Sequence, residues 1–326
     1  MATRTRSAAR NRAATVALIA RALALCAIVA ATTTAHAGAA FGRLCSWQQP
    51  LTAAEQDHLL SFAAVAREEL AATGQRVAIV SRSGLNLSRF DIRYSHAGVS
   101  LAASPNTPWS VRQLYYACDE RRPRLYDQGL AGFVYGTDNA SLGYLSIVLL
   151  PAEAAQSLER AALDTPRALT LLGGDYSANA HAYSTRYQNC NQWLAELLAL
   201  AWGGADADTD APSRAQQWLA AQGYAPSPVD VGSRALMFAA GFVPWLRFDD
   251  HPQDDLLAMR FRTSLPASIE AFVRAQVPGA QRIELCHAPG RVVVRRGWTP
   301  IADGCVAAAG DRVVMLEAMA AANRAR

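Results

Sequence analysis

The 326-residue chain contains no lysine. Every side-chain cation other than histidine is therefore an arginine, and a Walker-type phosphate loop, which needs a lysine, is excluded. No C-x-x-C and no H-E-x-x-H occurs, and His181 precedes Cys190 by nine residues, a separation that suits no zinc pattern. The reading is accordingly no metal and no cofactor, and a dithiol redox protein has nothing to support it. The acidic stretch Asp206, Asp208, Asp210 lacks the Gly and closing Glu of an EF-hand and reads as a solvated loop. Internal repeats and low-complexity tracts are also missing, and after residue 37 no apolar run reaches membrane-spanning length.

What is present begins with residues 1–37, which read as a secretory signal peptide. Arg4, Arg6, Arg10 and Arg12 form the basic start, 13–31 is an Ala-rich apolar core broken by Arg21, and Ala35-His36-Ala37 supplies the cleavage site. The expected product is exported, periplasmic or secreted, with no membrane span after cleavage. The chain carries a net charge of +4; removing the five arginines of 1–37, where no acid occurs, leaves −1. With no basic patch either, nucleic acid is excluded as a partner.

Five cysteines remain after residue 37: Cys45, Cys118, Cys190, Cys286 and Cys305. An odd number in an exported chain leaves at least one outside the intrachain pairs. Cys286 and Cys305 lie around a hairpin pattern, with Ile283-Glu284-Leu285 before Pro289-Gly290 and Val292-Val293-Val294 after it, and read as partners. Cys45 and Cys118 read as a tie between the N-terminal segment and the sheet, which leaves Cys190 over.

The segment Tyr187-Gln188-Asn189-Cys190-Asn191-Gln192-Trp193-Leu194 predicts a helix start. Leu194, Leu197, Leu198 and Ala201 repeat at helical spacing from Cys190, Asn189 suits the N-cap, and Gln192 stands where a capping box takes Glu or Gln. Free N–H groups and the positive end of the helix dipole favour a thiolate in that first turn. The plain alternative is a small buried hydrophobe. Upstream, 90–101 reads as a strand with Ile92, Tyr94, His96 and Gly98 on one face, Gly98 leaving a gap beside the imidazole for an approaching helix N-terminus. A hydrogen-bonded core histidine is the alternative there.

Other predicted helices are 55–73, 151–163, 212–222, 233–240 and 266–275. Predicted strands are 77–80, 109–118 (Trp109, Val111, Gln113 and Tyr115 on one face), 142–150, 259–264, a hairpin over 283–296, and 312–316. The polar run 119–130 reads as turns. A composition shift near residue 250 divides a main domain, 38–250, from a C-terminal extension, 251–326.

Ser95-His96-Ala97-Gly98 followed much later by Tyr187-Gln188-Asn189-Cys190 resembles the circularly permuted papain-like cysteine hydrolases, the branch of the NlpC-type and lecithin retinol acyltransferase-like enzymes. This chain has one extra residue between Tyr and Cys. Over 45–203 it is more similar still to a family of exported bacterial proteins known only as a domain of unknown function, number two-one-four-five. Tyr94-Ser95-His96-Ala97-Gly98, Pro123-Arg124-Leu125-Tyr126-Asp127-Gln128-Gly129-Leu130 and Asn189-Cys190-Asn191-Gln192 carry that likeness. It implies an α+β fold with a permuted papain-like core, an antiparallel sheet packed on helices, and a smaller C-terminal α/β appendage. It also implies a cysteine hydrolase or acyltransferase, with Cys190 as nucleophile and His96 as base. Gln113 is the expected orienting residue, with Asp127 and Asp119 as substitutes. The backbone N–H of Cys190 with Gln192 or Asn191 would meet the oxyanion, and Tyr94 would help to position substrate. An amide, ester or thioester of small-molecule, peptide or lipid origin in the cell envelope is the expected substrate. The competing reading is a non-catalytic envelope binding or structural protein on a degenerate papain-like scaffold.

Overall fold

The computed structural model describes residues 51–204 and 210–316; the signal segment, Cys45, Asp206 and Asp208 lie outside the described residues. Helices are α1 (Ala53–Ala72), α2 (Leu130–Tyr135), α3 (Ala152–Leu163), α4 (Thr165–Leu169), α5 (Cys190–Trp202), α6 (Ala211–Ala221), α7 (Arg234–Ala240), α8 (Gln253–Leu257) and α9 (Pro266–Gln276). Strands are β1 (Val77–Arg82), β2 (His96–Leu101), β3 (Ser110–Ala117), β4 (Arg122–Gln128), β5 (Gly143–Leu149), β6 (Ser227–Asp230), β7 (Arg260–Thr263), β8 (Gln281–Ala288), β9 (Arg291–Arg296) and β10 (Arg312–Met315). The fold is α+β.

Eight strands form one antiparallel sheet in the order β10-β9-β8-β5-β1-β2-β3-β4, and β6 pairs with β7 separately. The stretch after residue 250 thus continues the main sheet, because β8 pairs with β5 from Gly143↔His287 to Leu149↔Gln281. Strand alternation sends Val77, Ile79, Ala97, Val99 and Leu101 to one face, under α3, α5 and α9. It sends Ala78, Val80, Val111, Leu145 and Ile147 to the other, under α1 and α2. Both faces are therefore apolar, and α5 is so deep that every residue from Cys190 to Leu200 is buried. Helix α1 starts as its sequence demands: Glu55 N–H donates to Thr52 Oγ1 (3.3 Å) and Thr52 N–H donates back to Glu55 Oε2 (2.8 Å).

Two predicted elements change. The strand expected over 90–101 begins only at His96, because Ser88–Phe90 is a 3₁₀ turn and Asp91 takes a left-handed φ of 56°, which no extended strand accommodates. The run read as turns contains β4, registered on β3 from Val111↔Gln128 to Ala117↔Arg122. It is the outer strand of the sheet, so one edge meets solvent; this explains its polarity and its tolerance of Pro123.

Candidate active site around Cys190 and His96

Asn189 caps α5 by accepting from Gln192 N–H (2.7 Å), while its own Nδ2 donates to Thr263 Oγ1 (2.7 Å) and Ser264 O (3.3 Å) at the end of β7. The helix start is thereby held from both sides. Cys190 in its first turn is a free, buried thiol. Cys286 and Cys305 form the expected disulfide, and Cys118 is disulfide-bonded to a partner outside the described residues. The Cys190 sulfur meets its own N–H, the Asn191 N–H, the Tyr176 hydroxyl and the charge of Arg82, all of which favour the thiolate. Burial outweighs them and pushes the thiol up to about 11.

His96 Nε2 pairs with Gln113 Oε1 at 2.5 Å, and Gln113 Nε2 donates to Gln128 Oε1 (2.8 Å). The second bond fixes the Gln113 amide so that its oxygen faces the ring. Nε2 then carries the hydrogen and Nδ1 keeps its lone pair, the tautomer of a base. Burial, then the nearby Arg82 charge, pulls His96 down to about 3 against the opposing Gln113 bond, so the imidazole rests neutral. Its ring lies 5.4 Å from Tyr115 and 5.9 Å from Phe133 of α2. That is the α2 side of the sheet, whereas Cys190 packs with Ala97, Val99 and Leu101 on the other. Among the described residues no hydrogen bond joins the thiol to the imidazole. Beside them Asn191 Nδ2 donates to Ser95 O (3.2 Å) and seats the first turn of α5 on the residue before β2.

Arg82, which the sequence reading passed over, is paired across the strands with His96 and is the leading charged influence on both His96 and Cys190. It is 5 % exposed, its Nη1 donates to Gly136 O, and its guanidinium lies over Phe133 at 5.3 Å. The signal was available: alternation from Ala78 and Val80 puts Arg82 on an inward face. Tyr176, also missed, stands two residues after Gly174 and had no pattern to mark it.

The remaining expected site residues lie elsewhere. Asp127 forms a two-point ion pair with Arg112 (2.7 and 2.6 Å), fixed by their direct cross-strand register, while Gln113 takes the imidazole. Tyr94 gives its hydroxyl to Glu284 and accepts from Arg282 Nη2 (3.1 Å), in a buried network at β8. Gln192 does not close a capping box; its Nε2 donates to Ser184 O (3.1 Å) and Glu196 Oε1 (3.1 Å), away from the sulfur. Asn191 is nearer, but its Oδ1 is buried without a partner. The gap at Gly98 is filled by β3 and not by the helix: a Cβ there would stand 2.6 Å from Val111 Cγ1 and 2.8 Å from Arg112 O. A polar cavity of ≈ 350 Å³ lies beside α5, lined by Gly173, Ser184, Gln188, Gln192, Glu196 and Gln216 among others. Among the described residues no group of three or more His, Cys, Asp or Glu is placed to hold a metal, and no helix is long and apolar enough to cross a membrane.

Comparison with known proteins finds no match among curated proteins and none among solved structures. The family described as an uncharacterized protein conserved in bacteria (DUF2145) matches residues 69–273, more than half of the chain, and takes in Arg82, His96, Gln113 and Cys190. The chain belongs to that bacterial family.

Proposed function

We propose that the protein is an exported cysteine hydrolase or acyltransferase with a permuted papain-like core, acting on an amide, ester or thioester of the cell envelope. The observation that carries this reading is the His96–Gln113 bond at 2.5 Å, which leaves Nδ1 as a free base at the strand end on which the Cys190 helix is seated. In the proposed reaction Nδ1 takes the thiol proton as Cys190 Sγ attacks the carbonyl carbon. The tetrahedral oxyanion meets the Cys190 N–H, the Asn191 N–H and the Tyr176 hydroxyl. The leaving group departs with the proton from His96, and water or an amine resolves the acyl-enzyme. Because thiol and imidazole rest neutral and unbonded, the imidazole on the α2 side of β2 and the thiol on the other, the reaction requires the His96 side chain at the strand end to turn toward the first turn of α5 when substrate binds. The disulfides at Cys286–Cys305 and Cys118 fit an oxidising, exported setting.

A second reading, a non-catalytic envelope protein, is favoured by the missing thiol–imidazole bond and by the burial that keeps the thiol protonated. Intact-mass measurement after brief exposure to activated esters, thioesters and peptide amides separates the two. The hydrolase reading expects acylation of Cys190 that His96→Ala abolishes; no acylation by any carbonyl class defeats it.

A further inference from the structure

Three arginines of the described fold are buried to the same degree: Arg82, Arg112 and Arg282, each 5 % exposed. Arg112 turns its Nε and Nη2 onto Asp127. Arg282 meets Glu270 through Nε (3.1 Å) and Glu284 through Nη2 (3.1 Å). Arg82 has no ion pair among the described residues. Its Nη1 goes to Gly136 O, its Nε is sealed from water without a partner, and its further side-chain hydrogen bond is with the Tyr115 hydroxyl. Asp138, a carboxylate whose charge it feels, is exposed and accepts from Asn86 N–H (3.1 Å). The place for this guanidinium is built: a Cβ at Gly84 or at Gly136 would collide with its terminal nitrogens. A buried cation with no anion is costly, and the Nε/Nη2 edge matches a carboxylate with two parallel hydrogen bonds.

We propose that Arg82 anchors a carboxylate of the ligand beside Cys190, so that the compound acted on is anionic. This rests on the reading of Cys190 as nucleophile and narrows its substrate class. A lone sulfur anion would use one point of the two-point edge; a carboxylate uses both. The Tyr115 hydroxyl bonds the guanidinium while the residue is 37 % exposed, so it is the group that an incoming carboxylate displaces. Neutralising Arg82 also lifts the charge that lowers His96, so the base strengthens only when an anionic ligand is in place.

The test compares iodoacetate with iodoacetamide on the full chain, reading Cys190 by peptide mass. The rate ratio at Cys190 should exceed that of free cysteine by about tenfold, equivalent to about 1.4 kcal/mol. Arg82→Lys, which keeps the charge and loses the fork, should bring the ratio back toward the free-thiol value, and Tyr115→Phe should keep or raise it. A wild-type ratio equal to that of free cysteine, or one unchanged by Arg82→Lys, overturns the proposal while leaving Cys190 as a reactive thiol. If neither reagent labels Cys190, it is the nucleophile reading that fails. The anion site is then judged by succinate, which should raise the melting temperature of the Cys190→Ala chain and of the wild type. No rise in either overturns the Arg82 assignment.

Discussion

Glu196 sits in the second turn of α5 with no exposed surface, its carboxyl receiving amide N–H groups from Gln188 (2.6 Å), Gln192 (3.1 Å) and Gln216 (2.8 Å). These three bonds favour the carboxylate, yet burial is the larger effect and raises the group from 4.5 to about 7. Folding stability from this group is fully present below the unfolded value of 4.5 and is lost as pH rises through about 7. Between those limits the unfolded chain has given up the proton and the folded chain still holds it. The loss is worth roughly 3 kcal/mol, taking 1.36 kcal/mol for each pH unit between the two values. Glu196→Gln removes the titration. Its absolute stability will also change, because a new N–H₂ must face the Gln188 amide, so the informative quantity is the difference between wild type and variant as a function of pH. Urea unfolding at pH 5, 6, 7 and 8 should show the variant gaining on the wild type by roughly 2–3 kcal/mol across that range, most of it between pH 5 and 7. Parallel curves would refute the buried, proton-holding carboxyl.

Gln113→Ala frees the imidazole, and any acyl transfer should fall about 10- to 100-fold, an effect on kcat more than on KM, while iodoacetamide still reaches Cys190. Gly98→Ala sets a methyl group against Val111 and the Arg112 carbonyl and should destabilise the fold by roughly 1–3 kcal/mol in urea unfolding; an unchanged midpoint would show that β3 can shift. Replacing Cys286 and Cys305 together by Ala opens a loop with a sequence separation of 19 and should cost about 3 kcal/mol by the same assay. An unchanged stability there would mean that β8 and the turn after β9 hold without the bond.

Local rules carried the sequence reading a long way. The α5 start was legible because Asn189 has a short acceptor side chain at the right distance from the Gln192 N–H, and the cap is made as expected. The Cys286–Cys305 pair followed from a hairpin whose turn and apolar alternation were explicit in the chain. The link between His96 and Gln113 came from resemblance, together with the register that sets Gln113 inward. What failed to show depended on sheet order, which no local pattern encodes. Strand β4 was hidden because an edge strand has one solvated side. Gly98 looked like room for a helix, since the sequence does not say that β3 would fill the space. The acids fell away for a similar reason: Asp127 is a good candidate until the register puts it opposite Arg112. Arg82 went unread because a single arginine at the end of an apolar strand usually snorkels to solvent, and only the closed fold reveals that it does not.

The central claim is that His96 is the base for Cys190, and the rate of Cys190 alkylation by iodoacetamide against pH tests it most directly. With the thiol pushed up to about 11 and the imidazole down to about 3, a thiol acting alone should react tenfold faster for each pH unit from 5 to 8, indifferent to His96→Ala. A thiol that passes its proton to the His96 Nδ1 as it attacks should react at a nearly constant rate over that range, and His96→Ala should restore the tenfold slope. A flat wild-type profile that steepens in the variant is the result expected here. Two steep, superimposable profiles would contradict the Cys190–His96 pair and leave the buried thiol a packing residue.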